Sequence, residues 1–139
     1  RLENGKVVRL SIDRELEISD DPEEMHAQAL TAHARFAFWA YQAERAYGAL
    51  RSAELQFAKA EGSKRYAYAR LAKDEDRFAS ASTIDGLVAS DPNLENQRKN
   101  LIDLRTNWTI LRSVTDALDH RSHLLRKLIA KDQDATRGK

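Results

Sequence analysis

Side chains that could perform catalysis are few and scattered in this sequence. His120 and His123 are three residues apart, with Asp116 and Asp119 nearby, which is a spacing that could face a metal ion on one side of a helix. A charged helix surface produces the same pattern by chance, so we assign no metal site. Ser122 precedes His123 but follows no sharp turn that would form an oxyanion hole, and the chain has no glycine-rich phosphate loop. We therefore predict no catalytic residue, no metal and no cofactor, in a protein that is not an enzyme.

One segment combines residue types that suit nucleic acid. Basic side chains alternate with tyrosines along it, and the predicted DNA-binding residues are Lys64, Arg65, Tyr66, Tyr68, Arg70 and Lys73. Cations neutralise phosphates, and tyrosine rings stack on bases without sequence preference. The pattern favours binding of single-stranded DNA. In the alternative interpretation, which stays open, the tyrosines lie in a helical core and the basic residues are ordinary surface charge.

The composition limits the class of protein that carries this segment. The 139 residues include 23 Lys and Arg against 22 Asp and Glu, a formal charge of +1, which excludes a uniformly basic binder but allows a local basic patch. With 42% hydrophobic residues, five Gly and two Pro, the chain fits neither a disordered protein nor an all-β sandwich. No window approaches roughly 18 consecutive apolar residues, so we expect no helix that spans a membrane and no membrane partner. The absence of cysteine fits a reducing compartment, so we expect a cytoplasmic location.

Turn signals and periodicity predict a mainly α protein with a single elongated domain over 1–139. Alternating apolar residues after the Asn4-Gly5 turn signal favour short strands, and Pro22 and Pro92 each follow an aspartate as they do at helix starts. Gly62-Ser63 either ends one helix and caps the next or bends a single rod. The predicted elements are a strand-like arm (1–20), a helical region (22–79), a loop (80–91), an oligomerisation helix (92–131) and a tail (132–139).

The length of the last helix predicts an extended shape. About 38 residues at 1.5 Å each give a helix of about 57 Å. A compact domain of this chain length is about 30–35 Å across, since its radius of gyration is about 14 Å. We therefore expect an extended antiparallel hairpin of long helices.

The apolar surface of the last helix predicts self-association. Its heptad rows form a coiled-coil-like seam, from which we predict the oligomer interface Leu101, Leu104, Trp108, Leu111, Leu118 and Leu125. A second set, which includes Ile110, Leu124 and Leu128, widens the apolar arc to about 160°. One hairpin partner leaves part of that arc exposed, so we expect a homo-oligomer larger than a dimer. The alternative is that the first long helix of the same chain covers the arc.

The last helix also carries an ordered series of residues that resembles a known family. The series is Trp108-Thr109-Ile110-Leu111, Asp116-Ala117-Leu118, Arg121-Ser122 and Leu125-Arg126-Lys127-Leu128. It resembles the C-terminal region of the UvsY recombination mediators of large tailed phages, and the resemblance extends from about residue 25 to the end. The DNA-binding motif of that family places Lys and Arg two residues apart before a tyrosine pair. The nearest counterparts here are Lys64-Arg65 before Tyr66 and Tyr68, with a different spacing.

The resemblance implies a ring-forming helical protein that binds single-stranded DNA and performs no chemistry. Such a protein would help to load a RecA-like recombinase onto DNA coated by single-strand-binding protein, in the host cell cytoplasm if it is phage-encoded. A second hypothesis is a helical structural or scaffolding oligomer with no nucleic-acid role.

Overall fold

The computed structural model describes residues 2–3, 6–7, 11–75 and 79–138, and the protein is mainly helical as predicted. The elements in chain order are β1 (Leu2–Glu3), β2 (Lys6–Val7), α1 (Ile12–Leu16), α2 (Pro22–Asp74), α3 (Ala81–Ala89) and α4 (Pro92–Arg137). Strands β1 and β2 pair antiparallel, with Leu2 opposite Val7 and Glu3 opposite Lys6. Within the described ranges, no helix has a stretch both long and apolar enough to cross a bilayer.

Part of the N-terminal arm, which we predicted to be strand-like over 1–20, is helical. The Asn4-Gly5 turn signal lies outside the described residues. Ile12–Leu16 forms helix α1 instead of a strand. The alternation misled because Ile12 and Leu16 are also four residues apart, the spacing of one helical turn, and Leu16 packs against the buried core. Tertiary packing therefore decides the conformation of this short segment.

Helix α2 is one continuous helix of 53 residues that passes through Gly62 and Ser63. A single glycine in a helix costs about 1 kcal/mol relative to alanine, and helix-forming neighbours offset that cost. A Cβ added at Gly62 would meet no atom within 4 Å, so no packed group forces a break there. The helix ends at Asp74, and Ala79 is not helical, so the predicted helical region 22–79 is too long at its end.

The predicted loop 80–91 is wrong over most of its length, because Ala81–Ala89 forms helix α3. The Ser80 side chain accepts a hydrogen bond from the backbone N–H of Thr83 at 3.2 Å and so caps the helix. Val88 is buried, and Arg98 of α4 donates to the carbonyl oxygen of Ala89 at 2.8 Å. A serine-rich stretch is typical of loops and of helix caps alike, and the burial of Val88 selects the helix.

Helix α4 begins at Pro92 as predicted and continues to Arg137, beyond the predicted end at 131. Its last residues, which we predicted as a tail, are exposed and helical. They contain no Gly or Pro before Gly138, so the sequence holds nothing that would stop the helix earlier.

The chain divides into two compact units, both of which contain parts of α2 and α4. The first unit comprises Arg1–Ala43 and Ile110–Lys139, and its core is Trp39, Val114 and Leu118. The buried Arg121 side chain in this unit donates from Nε and Nη2 to the carbonyl oxygen of Glu17, at 3.0 and 2.6 Å. These bonds attach the segment after α1 to α4.

The second unit comprises Glu44–Thr109, and α2 packs on α4 within it. Three contacts between the helices are the rings of Tyr47 and Trp108 (5.3 Å between centroids), Glu54 with Arg105 (3.3 Å), and Arg98 above the Phe57 ring (5.6 Å to the centroid). Residues further along α2 therefore contact residues that come earlier in α4.

The residues predicted for the oligomer interface differ in how far they are buried within the single chain. Leu118 and Leu125 are buried within the single chain, so they are not accessible to a second copy. Leu111 packs against the Trp39 core, and Trp108 contacts Tyr47. Leu101 and Leu104 are half-buried. The exposed apolar residues of α4 are different ones, namely Ile102, Ile110, Leu124 and Leu128.

Candidate nucleic-acid interface

The basic and aromatic segment of α2 lies on two different faces of the helix. At about 100° per residue, Lys64 and Tyr68 share one face and Tyr66, Arg70 and Lys73 share the opposite one. Arg65 lies between the two faces, about 100° from Tyr66. The six predicted residues therefore have different environments, although they are close together in the sequence.

The inward face is fixed to the start of α4 by one carboxylate. Asp91 is 3% exposed, and its Oδ2 accepts hydrogen bonds from the Tyr68 hydroxyl at 2.7 Å and from Lys64 Nζ at 3.0 Å. Its Oδ1 accepts the backbone N–H groups of Asn93 at 3.0 Å and Leu94 at 3.1 Å, which is how a capping aspartate satisfies the first turn of a helix. We call Asp91, Lys64 and Tyr68 the Asp91 cluster.

Hydrogen bonding governs the acid–base behaviour of the Asp91 cluster. The hydrogen bond from Tyr68, followed by that from Lys64, lowers the pKa of Asp91 from its ordinary 3.8 to about 2. The same bonds raise the pKa of Tyr68 and the pKa of Lys64 above their ordinary values. Lys64 and Tyr68 are therefore engaged in holding α2 to α4, and a nucleic acid would reach them only by breaking these bonds.

Arg65 is accessible but paired with acidic groups. Its guanidinium binds the Asp85 carboxylate of α3, and its Nη2 lies 3.6 Å from Oε1 of Glu61 on the preceding turn. The hydrogen bond and charge of Asp85 raise the pKa of Arg65 further. The side chains of both Arg65 and Asp85 are about half exposed, so water and ions reach this pair.

The outward face carries the accessible part of the predicted site. Tyr66 is 68% exposed, and Tyr66 and Lys73 have no hydrogen bond or ion pair to the residues that the structure describes. Arg70 is exposed and approaches Asp74 only at 3.9 Å. Together with Ala69 these four side chains line an open depression of about 380 Å³ on the helix surface.

Sequence reasoning missed one member of this face. Lys59 is exposed, is not paired with any described residue, and lies seven residues before Tyr66, which places it two turns away on the same face. We call Lys59, Tyr66, Arg70 and Lys73 the outward stripe. It extends over about 21 Å from Lys59 to Lys73, at 1.5 Å per residue. The seven-residue spacing is the signal that would have found Lys59.

The outward stripe offers three cations and one accessible aromatic ring. Side chains of this kind neutralise phosphates and stack on unpaired bases. Comparison of the chain with protein-family models, with curated proteins and with solved structures finds no match.

Proposed function

We propose that this protein is a non-enzymatic, single-stranded DNA-binding recombination mediator that acts as a homo-oligomer. The observation that carries the DNA-binding part is the outward stripe, in which an exposed tyrosine lies among three exposed cations. Phosphate neutralisation by these cations releases counterions and supplies affinity. Tyr66 favours a single strand over a duplex, because its ring can stack on the accessible face of an unpaired base but not on a base inside a duplex.

The partners in recombination come from the resemblance of α4 to the UvsY mediators. On that basis we propose that the protein helps to load a RecA-like recombinase onto DNA coated by single-strand-binding protein, in the cytoplasm. The mechanism is electrostatic and steric, because the outward stripe holds a strand without changing any covalent bond. Several stripes in one assembly would bind one strand together, and their weak affinities would combine through effective concentration.

The proposed assembly is larger than a dimer and uses an extended antiparallel hairpin of α2 and α4. Contacts such as Tyr47 with Trp108 and Phe57 with Arg98 support the antiparallel direction. Exposed apolar residues support the self-association, and in the first unit they include Leu124 and Leu128 on α4.

The test of DNA binding is fluorescence anisotropy with a labelled oligothymidylate at low salt. We expect Tyr66→Leu to weaken binding by about 1–3 kcal/mol, which is the range measured for loss of one stacked base. We expect Lys73→Gln to weaken it as well. Lys99→Gln is the matched control, since it removes the same charge from an exposed lysine on α4 that pairs with Glu95 at 3.1 Å. Equal effects of Lys73→Gln and Lys99→Gln would refute the stripe as the binding surface.

The second candidate function is a helical scaffolding oligomer with no nucleic-acid role. It is favoured by the engagement of Lys64, Arg65 and Tyr68 with acidic side chains, which leaves only part of the predicted basic segment for DNA. The anisotropy experiment separates the two functions. A protein that assembles but leaves the anisotropy of the oligonucleotide unchanged at low salt is a scaffold.

A further inference from the structure

Arg65 lies next to the outward stripe, with only small residues between them. Going around α2 from Arg65, Ala69 follows at about 40°, Gly62 at about 60°, Lys73 at about 80° and Tyr66 at about 100°. A Cβ added at Gly62 would meet no atom within 4 Å. A strand that crosses the helix surface from the stripe to Arg65 therefore meets no bulky side chain.

The two ion pairs of the basic segment differ in how easily a phosphate could replace the carboxylate. Asp91 is buried, and the carboxylate that binds Lys64 through Oδ2 also caps α4 through Oδ1, which accepts the backbone N–H groups of Asn93 and Leu94, so its release from Lys64 would disturb the start of that helix. Asp85 is 57% exposed and Arg65 is 48% exposed, and ion pairs between such exposed side chains contribute little to stability. Replacement of the carboxylate by a phosphate therefore requires little free energy at Arg65 and much more at Lys64.

We infer that Arg65 is an additional, exchangeable phosphate contact, and that Asp85 of α3 sets the affinity for single-stranded DNA by occupying Arg65 when no strand is bound. A phosphate of a strand that lies on the outward stripe replaces the Asp85 carboxylate on the guanidinium. This inference rests on the proposed function. It extends the proposed function by a residue outside α2, Asp85, which adjusts the affinity for the strand.

A double-mutant cycle tests the inference. Anisotropy with a labelled oligothymidylate gives the affinity of the wild type, Asp85→Asn, Arg65→Ala and the double variant. We expect Asp85→Asn to tighten binding by about 1.5- to 5-fold, which corresponds to the free energy of an exposed ion pair. We expect that gain to vanish when Arg65 is already alanine. Asp103→Asn is the matched control, because Asp103 is an exposed acid of α4 with no ion pair among the described residues.

Three results would overturn the inference. They are an unchanged affinity of Asp85→Asn, an equal gain with and without Arg65, and an equal gain for Asp103→Asn. If Tyr66→Leu and Lys73→Gln weaken binding while the cycle shows no coupling, only the inference fails. If the wild type does not bind the oligonucleotide, the proposed function fails together with the inference.

A second measurement does not depend on how α3 tolerates substitution. Arg65→Gln in the otherwise unchanged protein should reduce the salt dependence of binding by about 0.7 in log affinity per log salt, the contribution of one phosphate contact on a single strand. An unchanged salt dependence would show that Arg65 does not reach a phosphate.

Discussion

The salt dependence of DNA binding separates the residues of the basic segment by their role. The outward stripe contributes three cations, namely Lys59, Arg70 and Lys73. For a single strand each phosphate contact adds about −0.7 to the slope of log affinity against log salt, so these three give about −2.1 and a fourth contact from Arg65 gives about −2.8. Between about 50 and 300 mM salt, these slopes reduce the affinity by about 40-fold and about 150-fold.

Substitution of single lysines makes this prediction specific. Lys73→Gln should reduce the magnitude of the slope by about 0.7 and leave the thermal stability close to that of the wild type, since Lys73 is exposed and unpaired among the described residues. Lys64→Gln should leave the slope unchanged and lower the melting temperature, because Lys64 donates to the buried Asp91. The two variants remove the same charge from positions nine residues apart on one helix.

The assay is anisotropy of an oligothymidylate short enough to cover one stripe, about six nucleotides, titrated at four or more salt concentrations. Circular dichroism on the same samples gives the melting temperature. A slope that decreases equally in both variants would refute the separation of the two faces. A slope near zero in the wild type would refute phosphate contact altogether.

Three further predictions concern stability and assembly. Leu125→Ala should lower the free energy of unfolding by about 2–5 kcal/mol in urea titrations, since Leu125 is 0% exposed, and a loss below about 1 kcal/mol would contradict its place in the core. Because the pKa of Asp91 is about 2 when folded and 3.8 ordinarily, its contribution is present above pH 4 and is lost as the pH falls towards 2. The melting temperature of Asp91→Asn should therefore fall less over that pH window than the melting temperature of the wild type. Equal falls in the two proteins would exclude the effect. Light scattering at micromolar concentration should show more than two chains for the wild type and fewer for Leu124→Glu with Leu128→Glu, and a wild-type monomer would remove the assembly proposal.

The helical class and the helix starts could be predicted because their signals are local. Asp91 caps α4 through its own side chain, and Pro22 and Pro92 occupy the first helical positions where a missing N–H costs nothing. The errors at α1 and α3 occur where packing, and not a local signal, decides the conformation. α1 and α3 are short, and Leu16 stabilises α1 by packing against a core of residues far away in the sequence, whereas α3 has the buried Val88.

The candidate site could be predicted as a set of residue types but not as a surface. Nothing in the order of residues 64–73 reveals that Tyr68 donates to an aspartate 23 residues later. The same holds for Arg65, whose partner Asp85 lies in a segment predicted as a loop. Lys59 was not predicted as a DNA-binding residue because it lies five residues before the segment 64–73. It joins the outward stripe only through the helical period, which places it on the same face as Tyr66.

The two faces of the basic segment depend on each other through the geometry of α2. Because a helix rotates by about 100° per residue, Lys64 and Tyr68 must point away from Tyr66, Arg70 and Lys73 whenever the segment is helical. The bonds of Lys64 and Tyr68 to Asp91 fix the rotation of α2 about its own axis relative to the start of α4, and so they determine that the outward stripe is exposed. Substitutions at the Asp91 cluster should therefore affect DNA binding only in proportion to lost stability. Substitutions in the outward stripe should change affinity at constant stability.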